Sequence, residues 1–168
     1  MKYRKVSWHE VDRCVTMVGR TNRAARFRPD CIVAILKGGM VPARLLSDYF
    51  GSIEIYPIRV KAYIKPRKLA RVRIEPFRYP IGRKSVLIVD DIHDSGRTLQ
   101  KLIGHLQIRR PRALRAATLF YKRQVSQPPD FHAHTVAPDV WVVFPWERNE
   151  MAQARRCPTH EGTRIKHE

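Results

Sequence analysis

The chain is poor in acid, in cysteine and in long apolar runs. It sets 15 Asp and Glu against 33 Lys and Arg in 168 residues, a net charge of +18 and a pI near 10.7. An acidic, calcium-buffering or solvating character is therefore excluded. Three cysteines, Cys14, Cys31 and Cys157, are odd in number and lack metal-ligand spacing. A disulfide framework or a zinc site is not expected, and a reducing cytoplasmic setting is. Cys14 and Cys31 fall in apolar surroundings and read as small core residues. No apolar stretch reaches transmembrane length, and the run from Met1 to Val6 has no signal-peptide core. There is no internal repeat and no low-complexity tract. The dinucleotide signature G-x-G-x-x-G and the P-loop G-x-x-x-x-G-K-[ST] are both missing.

What is present suits one domain over 1–150, followed by a polar tail over 151–168. Hydrophobic content of 43% is ordinary for a globular protein. The surplus of positive charge attracts polyanions. Capture of an anionic substrate, nucleic-acid binding and extra solvation are its three readings. The basic residues lie scattered along the chain, with no dense tract, so specific nucleic-acid binding is the minority reading.

The most informative stretch runs from Arg83 to Leu102. Ser85 to Val89 is a short β-branched apolar run, the pattern of a strand covered on both faces. Asp90 and Asp91 follow, then the polar turn Ile92-His93-Asp94-Ser95-Gly96-Arg97-Thr98. A helix starting near Arg97 places Leu99, Leu102, Ile103 and Leu106 on one face. In an open α/β sheet, ligands sit beyond the carboxyl ends of the strands. A helix opening there offers unpaired N–H groups to a phosphate. Gly96 permits close backbone approach, and Ser95 and Thr98 offer hydroxyls. The carboxylates repel phosphate and need sugar hydroxyls or hydrated Mg²⁺ instead. Acids beside a phosphate nest point to a phosphorylated sugar.

Val86 to Thr98 resembles the PRPP-binding motif of type I phosphoribosyltransferases throughout. That motif is an apolar strand, two acids, two variable residues, Asp, Ser or Thr, Gly, any residue, and Ser or Thr. The resemblance covers about Ile32 to Glu147. It implies a Rossmann-like α/β core, a parallel sheet flanked by helices, with a small hood over about 122–150 and a flexible β-hairpin flap. Alternating strand and helix signals support that core independently. By the same resemblance Asp94 to Thr98 grip the 5′-phosphate, Asp90 and Asp91 hold the ribose hydroxyls, and Asp94 lies nearest the reacting nitrogen of the base.

Other segments extend the resemblance. Ser7-Trp8-His9-Glu10 is a capping-box sequence, and Val11, Cys14, Val15 and Val18 continue a helix to about Ala25. Cys31 to Leu36 is a second apolar strand, and Lys37-Gly38-Gly39 leads into a helix ending near Gly51. This glycine turn is a second anion site by the same physics. It resembles the family's diphosphate loop, where the entering peptide, here Leu36–Lys37 or Lys37–Gly38, is often cis. Ile53 to Ile64 and Val72 to Phe77 read as hairpin strands around a basic loop. In the family this hairpin closes over PRPP, and Tyr63, Lys65 and Arg67 are its candidate phosphate contacts. Leu114 to Tyr121 is a strand ending in Lys122, which matches the lysine that meets the exocyclic oxygen of 6-oxopurines. Pro128 to Phe131 reads as a turn, with His132 and His134 on the surface.

Trp141, Pro145, Trp146 and Glu147 resemble the Trp-x-x-x-Pro-Trp-acid segment of bacterial xanthine–guanine and archaeal purine phosphoribosyltransferases. Trp141 then stacks on the purine, Val142 meets the base edge through its backbone, and Glu147 joins Asp90 and Asp91 around Mg²⁺ through water or substrate. The expected reaction is transfer of phosphoribose from PRPP to guanine, hypoxanthine or xanthine, giving a nucleoside monophosphate and diphosphate. A homodimer or homotetramer is expected. Two alternatives stand beside it: an adenine enzyme of the same fold, and a regulator of the same fold that binds RNA or DNA.

Overall fold

Six strands and three helices carry the main body, and their order follows from the apolar runs. The computed structural model describes residues 2–65, 68–125 and 127–148, with side chains outside 62–72. In chain order the elements are β1 (Lys2–Lys5), α1 (Trp8–Ala24), β2 (Cys31–Leu36), α2 (Met40–Tyr49), β3 (Glu54–Lys65), β4 (Lys68–Ile74), β5 (Ser85–His93), α3 (Arg97–Gln107), β6 (Ala113–Lys122), β7 (Phe131–Val136) and β8 (Val140–Val143). A short 3₁₀ turn, Pro145–Glu147, follows. The main sheet has the order β4-β3-β2-β5-β6-β7. Only the β3–β4 pair is antiparallel.

Strands β2 and β5 are apolar on both faces because helices cover both. On one side Ile32, Ala34, Leu87 and Val89 pack with Val11, Cys14 and Val18 of α1 and Ala43 and Leu46 of α2. On the other side Val33, Ile35, Val86 and Ile88 pack with Leu99, Leu102 and Leu106 of α3 and with Val60, Phe77 and Ile81. Crossover helices on both faces are what a parallel sheet requires. Cys14 and Cys31 are free thiols, wholly buried. Burial pushes both up to about 11, so neither is a reactive thiolate.

Several expectations need correction. Strand β5 does not stop at Val89; it runs to His93, because β6 stays beside it through the pairs Ile92–Phe120 and His93–Tyr121. The two acids are therefore strand residues. The 128–136 region is not turn and surface: Phe131–Val136 is an edge strand parallel to β6. His132 and His134 are half-buried, with rings 4.5 Å from Tyr121 and 5.4 Å from Phe120. Four residues at the start, β1, pair in parallel with β8, a second small sheet that the polar sequence Lys-Tyr-Arg-Lys conceals. The expected hood thus divides, β7 joining the main sheet and β8 pairing with β1. The capping box at Ser7 is half formed. Ser7 Oγ accepts from Glu10 N at 3.2 Å, but the Glu10 carboxylate turns to Arg4 at 2.6 Å. Residue 67, the side chains of Tyr63 and Lys65, and the tail over 151–168 lie outside the described residues.

Candidate functional site

Two strand–turn–helix units meet at the carboxyl ends of β2 and β5. The β5 unit supplies the acids. Successive residues of a strand face opposite sides, and Asp90 and Asp91 do so. Asp90 faces the α3 side, where it lines a small cavity with Asp94, Ser95, Gly96, Thr98 and Thr118. Asp91 faces the α2 side, against the glycines of the β2 unit. Each carboxylate also accepts a local N–H: Asp91 N donates to Asp90 Oδ1 at 3.0 Å, and Ile92 N to Asp91 Oδ1 at 2.7 Å.

Burial raises the pKa of both acids. Asp90 sits well above the usual carboxylate range, first through lost hydration and then through repulsion by Asp91. Asp91 is pushed up to about 7 by burial and then by the negative charge of Glu147. The Trp146 indole leans toward Asp91 without reaching hydrogen-bond geometry, and its buried N–H has no acceptor. Glu147 meanwhile accepts from Phe144 N at 2.9 Å, which closes the 3₁₀ turn. Three carboxylates thus concentrate negative charge that no neighbouring cation neutralises at Asp90 or Asp91.

The β2 unit brings in Lys37, Gly38 and Gly39 behind a cis Leu36–Lys37 peptide. Here glycine serves closeness rather than conformation. A Cβ on Gly38 would stand 2.4 Å from Asp91 Oδ2, and one on Gly39 2.3 Å from the Val89 carbonyl oxygen. Only bare backbone passes so near β5. Helix α2 then starts at Met40 with no side-chain cap.

Helix α3 starts the same way. Its N-cap, Gly96, has φ 80° and no side-chain cap. The first-turn N–H groups are left for a ligand. Thr98, 8% exposed, has a hydroxyl with no partner at this helix start, and so has the 2% exposed Thr118 on β6 beside Asp90. Unsatisfied buried hydroxyls are expensive, and their joint orientation on one cavity marks a place for a polar ligand. Ser95 Oγ accepts weakly from Arg97 N at 3.5 Å.

Lys122 closes the site from β6. Its ammonium is buried and lies 2.7 Å from Asp94 Oδ1. The residues expected to contact the phosphate, the diphosphate and the 6-oxo group are therefore assembled at one end of the sheet. Trp141 and Val142 stand apart on β8. Val142 is buried in the core, Trp141 is partly exposed, and no hydrogen bond or ring contact joins either to Lys122 or Asp94 among the described residues. Thr118 and Trp146 are the contributors that sequence reasoning missed as site residues. Thr118 had one legible signal: it lies four residues before Lys122, on the same face of a strand.

This geometry matches a known family. Residues 9–150 match the phosphoribosyl transferase domain. The chain is 31% identical over 159 residues to a xanthine-guanine phosphoribosyltransferase of Ruegeria sp. (strain TM1040), covering 84% of each chain. A purine phosphoribosyltransferase structure from Pyrococcus horikoshii superposes with a TM-score of 0.76 at 31% identity, over 87% of this chain and 95% of that one. The xanthine-guanine-hypoxanthine enzyme of Helicobacter pylori shares the fold, with a TM-score of 0.72 at 22% identity over 91% of this chain and 99% of that one. The chain belongs to the phosphoribosyl transferase domain family. It is a transferase of the α/β type with a mostly parallel central sheet.

Proposed function

We propose that the protein is a purine phosphoribosyltransferase of nucleotide salvage, moving phosphoribose from PRPP to a 6-oxopurine. The observation that carries this reading is the 2.7 Å pair between Lys122 and Asp94 at the mouth of the phosphate turn. An ammonium has three donors. One holds Asp94, and two remain for an exocyclic oxygen. A 6-amino group offers no acceptor of that kind, so adenine fits less well. The relatives named above favour the 6-oxopurine reading, and they favour an enzyme over a regulator.

In this reading the uncapped start of α3, with Ser95, Gly96, Arg97 and Thr98, binds the 5′-phosphate. Asp90, facing that turn, takes a ribose hydroxyl. Lys37, Gly38 and Gly39 hold the leaving diphosphate against the uncapped start of α2. Asp94 receives the proton on the imidazole ring of the base, with Lys122 orienting it. Trp141 and Val142 flank the base from β8. Most of the rate then comes from fixed charges and dipoles placed around the separating groups.

The donors suit Mg²⁺. Asp90 and Asp91 are oxygen ligands carrying surplus negative charge, with Glu147 adding to the field at Asp91. No cluster of three His, Cys, Asp or Glu ligands exists among the described residues, which fits an ion held by one or two carboxylates, water and substrate oxygens. When bound there, Mg²⁺ neutralises the negative charge of the diphosphate. A homo-oligomer is part of this proposal.

The test measures diphosphate release from PRPP and Mg²⁺ with guanine, hypoxanthine, xanthine or adenine. Turnover with the 6-oxopurines, lost on chelation, is expected. Release with adenine alone would move the protein to the alternative specificity, and none with any base would overturn the reading.

A further inference from the structure

The basic residues, scattered in sequence, gather at the end of the sheet opposite the site. Arg83 and Arg110 occupy facing turns, both in the left-handed region at φ 61° and 52°, and Arg83 N donates to the Arg110 carbonyl at 3.0 Å. Arg112 N donates to the Lys84 carbonyl at 2.8 Å. The Arg109 guanidinium caps the carbonyl of Phe77, next to Arg78. Arg78, Arg83, Arg109, Arg110 and Arg112 are all exposed, and Lys84 is half-buried. Two carboxylates face these cations, and both are paired: Asp30 with Arg112 at 3.0 Å and Glu54 with Lys84 at 3.2 Å. Arg78, Arg83, Arg109 and Arg110 have no carboxylate partner among the described residues.

An aromatic ring stands in the same patch. Tyr79 lies flat on Tyr56, centroids 4.8 Å apart at 10°, and its edge is fixed by Phe77 at 5.3 Å. Tyr56 is in turn held by Lys84 at 3.0 Å. Tyr79 is nonetheless 40% exposed. The result is a rigid, partly open ring amid unpaired guanidinium groups.

This charge does nothing for PRPP. The nine residues of β5 separate the two ends by roughly 27 Å at about 3.3 Å per residue, several times the Debye length of about 8 Å in physiological salt. Helix C-termini attract cations, which accounts for Arg109 at the end of α3 but not for Arg78, Arg83 or the open tyrosine. Guanidinium forks match phosphates, and a fixed aromatic face amid them is the platform on which unpaired bases stack.

We infer that this pole, formed by Arg78, Tyr79, Arg83, Arg109 and Arg110, is a docking surface for single-stranded nucleic acid, separate from the catalytic end. An acidic protein is the competing occupant. The flat ring and the want of an apolar centre favour the nucleic acid.

The test is fluorescence anisotropy of a labelled 15-nucleotide oligo-uridine with the full chain, from 50 to 300 mM salt. The pair Arg83→Asn and Arg110→Asn keeps residues that tolerate positive φ. Binding with a steep salt dependence is expected, and the double variant lowers the slope by about 1.4, the value for two lost phosphate contacts on a single strand. Tyr79→Ala weakens binding about tenfold, within the range for one stacked base. The double variant retains wild-type kcat and KM for PRPP, which shows that it is folded. No binding at 50 mM salt, equal slopes for wild type and double variant, displacement of the oligonucleotide by PRPP, or equal binding of poly-glutamate would each overturn the inference.

Discussion

Helix α1 and helices α2 and α3 begin in opposite ways. The start of α1 is closed by its own chain: Ser7 Oγ accepts from Glu10 N, and Arg4 secures Glu10. The starts of α2 and α3 carry glycine and no side-chain cap. All three helices have orphan N–H groups. Where the chain satisfies them itself, the helix is scaffold; where it leaves them open beside buried acids, the helix is machinery. The two open starts also differ from each other. Gly39 is needed because β5 is too near, and Gly96 because the backbone turns left-handed.

The largest effect is expected at the group that no backbone substitutes for. Asp94→Asn removes the proton acceptor while leaving the phosphate turn intact. General-base catalysis contributes about 10²- to 10⁴-fold, so kcat should fall by that order with KM for PRPP little changed. Steady-state assays with the preferred base measure both. Unchanged turnover would remove Asp94 from the chemistry and leave it only as the anchor of Lys122.

Substitutions at the two glycine turns separate closeness from conformation. Gly39→Ala puts a methyl group 2.3 Å from one carbonyl oxygen and 2.7 Å from another, Ile35 O, and backbone cannot yield as a side chain does. Overpacking of that kind costs about 1–3 kcal/mol, and the diphosphate loop must move, so both Tm and activity should drop. At position 96 the new Cβ meets only the movable end of Val125 at 2.9 Å, and the cost is mainly that of the left-handed turn, about 1–2 kcal/mol. Asn in place of Gly should therefore recover part of the loss at 96 and none at 39. Equal recovery at both, read by thermal denaturation and PRPP binding, would erase the distinction.

Asp91 sharpens the contrast between function and stability. It is buried beside Asp90 and feels Glu147, so its ionised form strains the free protein. Its folded pKa, about 7, lies above the unfolded carboxyl value. The folded protein thus holds this proton more tightly, and the destabilisation is absent below about pH 4 and complete above pH 7. Stability from this group falls as pH rises through that window. Asp91→Asn should raise the Tm of the free protein at pH 8 by about 4–8 °C, for a gain on the order of 2 kcal/mol, and abolish most activity. No rise in Tm would mean that neighbouring groups already compensate the charge.

The catalytic end was largely legible in the sequence because its chemistry is local. Strand, acids, turn and helix start follow within Val86 to Thr98, and periodicity places each. What escaped was set by neighbours distant in the chain. The extension of β5 to His93 depends on β6; the strand Lys2–Lys5 depends on β8; the strand Phe131–Val136 hides behind alternating histidines that pack on Phe120 and Tyr121. The basic pole shows the same limit. Arg78, Arg83 and Arg110 are far apart in sequence and become neighbours only when α3 returns the chain to the foot of the sheet.

The smallest effect tests the comparison from its quiet side. Ser7→Ala opens the start of α1 as α2 and α3 are open, and leaves Glu10 N unpaired. Loss of an N-cap costs about 1 kcal/mol, or about 2–4 °C in Tm for a chain of this size. The Arg4–Glu10 pair stays, and with it the junction between α1 and β1, so kcat and both KM values should hold. If an uncapped helix start were enough to make a phosphate site, the variant would gain one at α1, visible as extra stabilisation by inorganic phosphate. None is expected, because no buried hydroxyl and no glycine turn stands there. An open helix end is necessary for the anion sites of this fold, and it is the polar groups stranded beside it that make it sufficient.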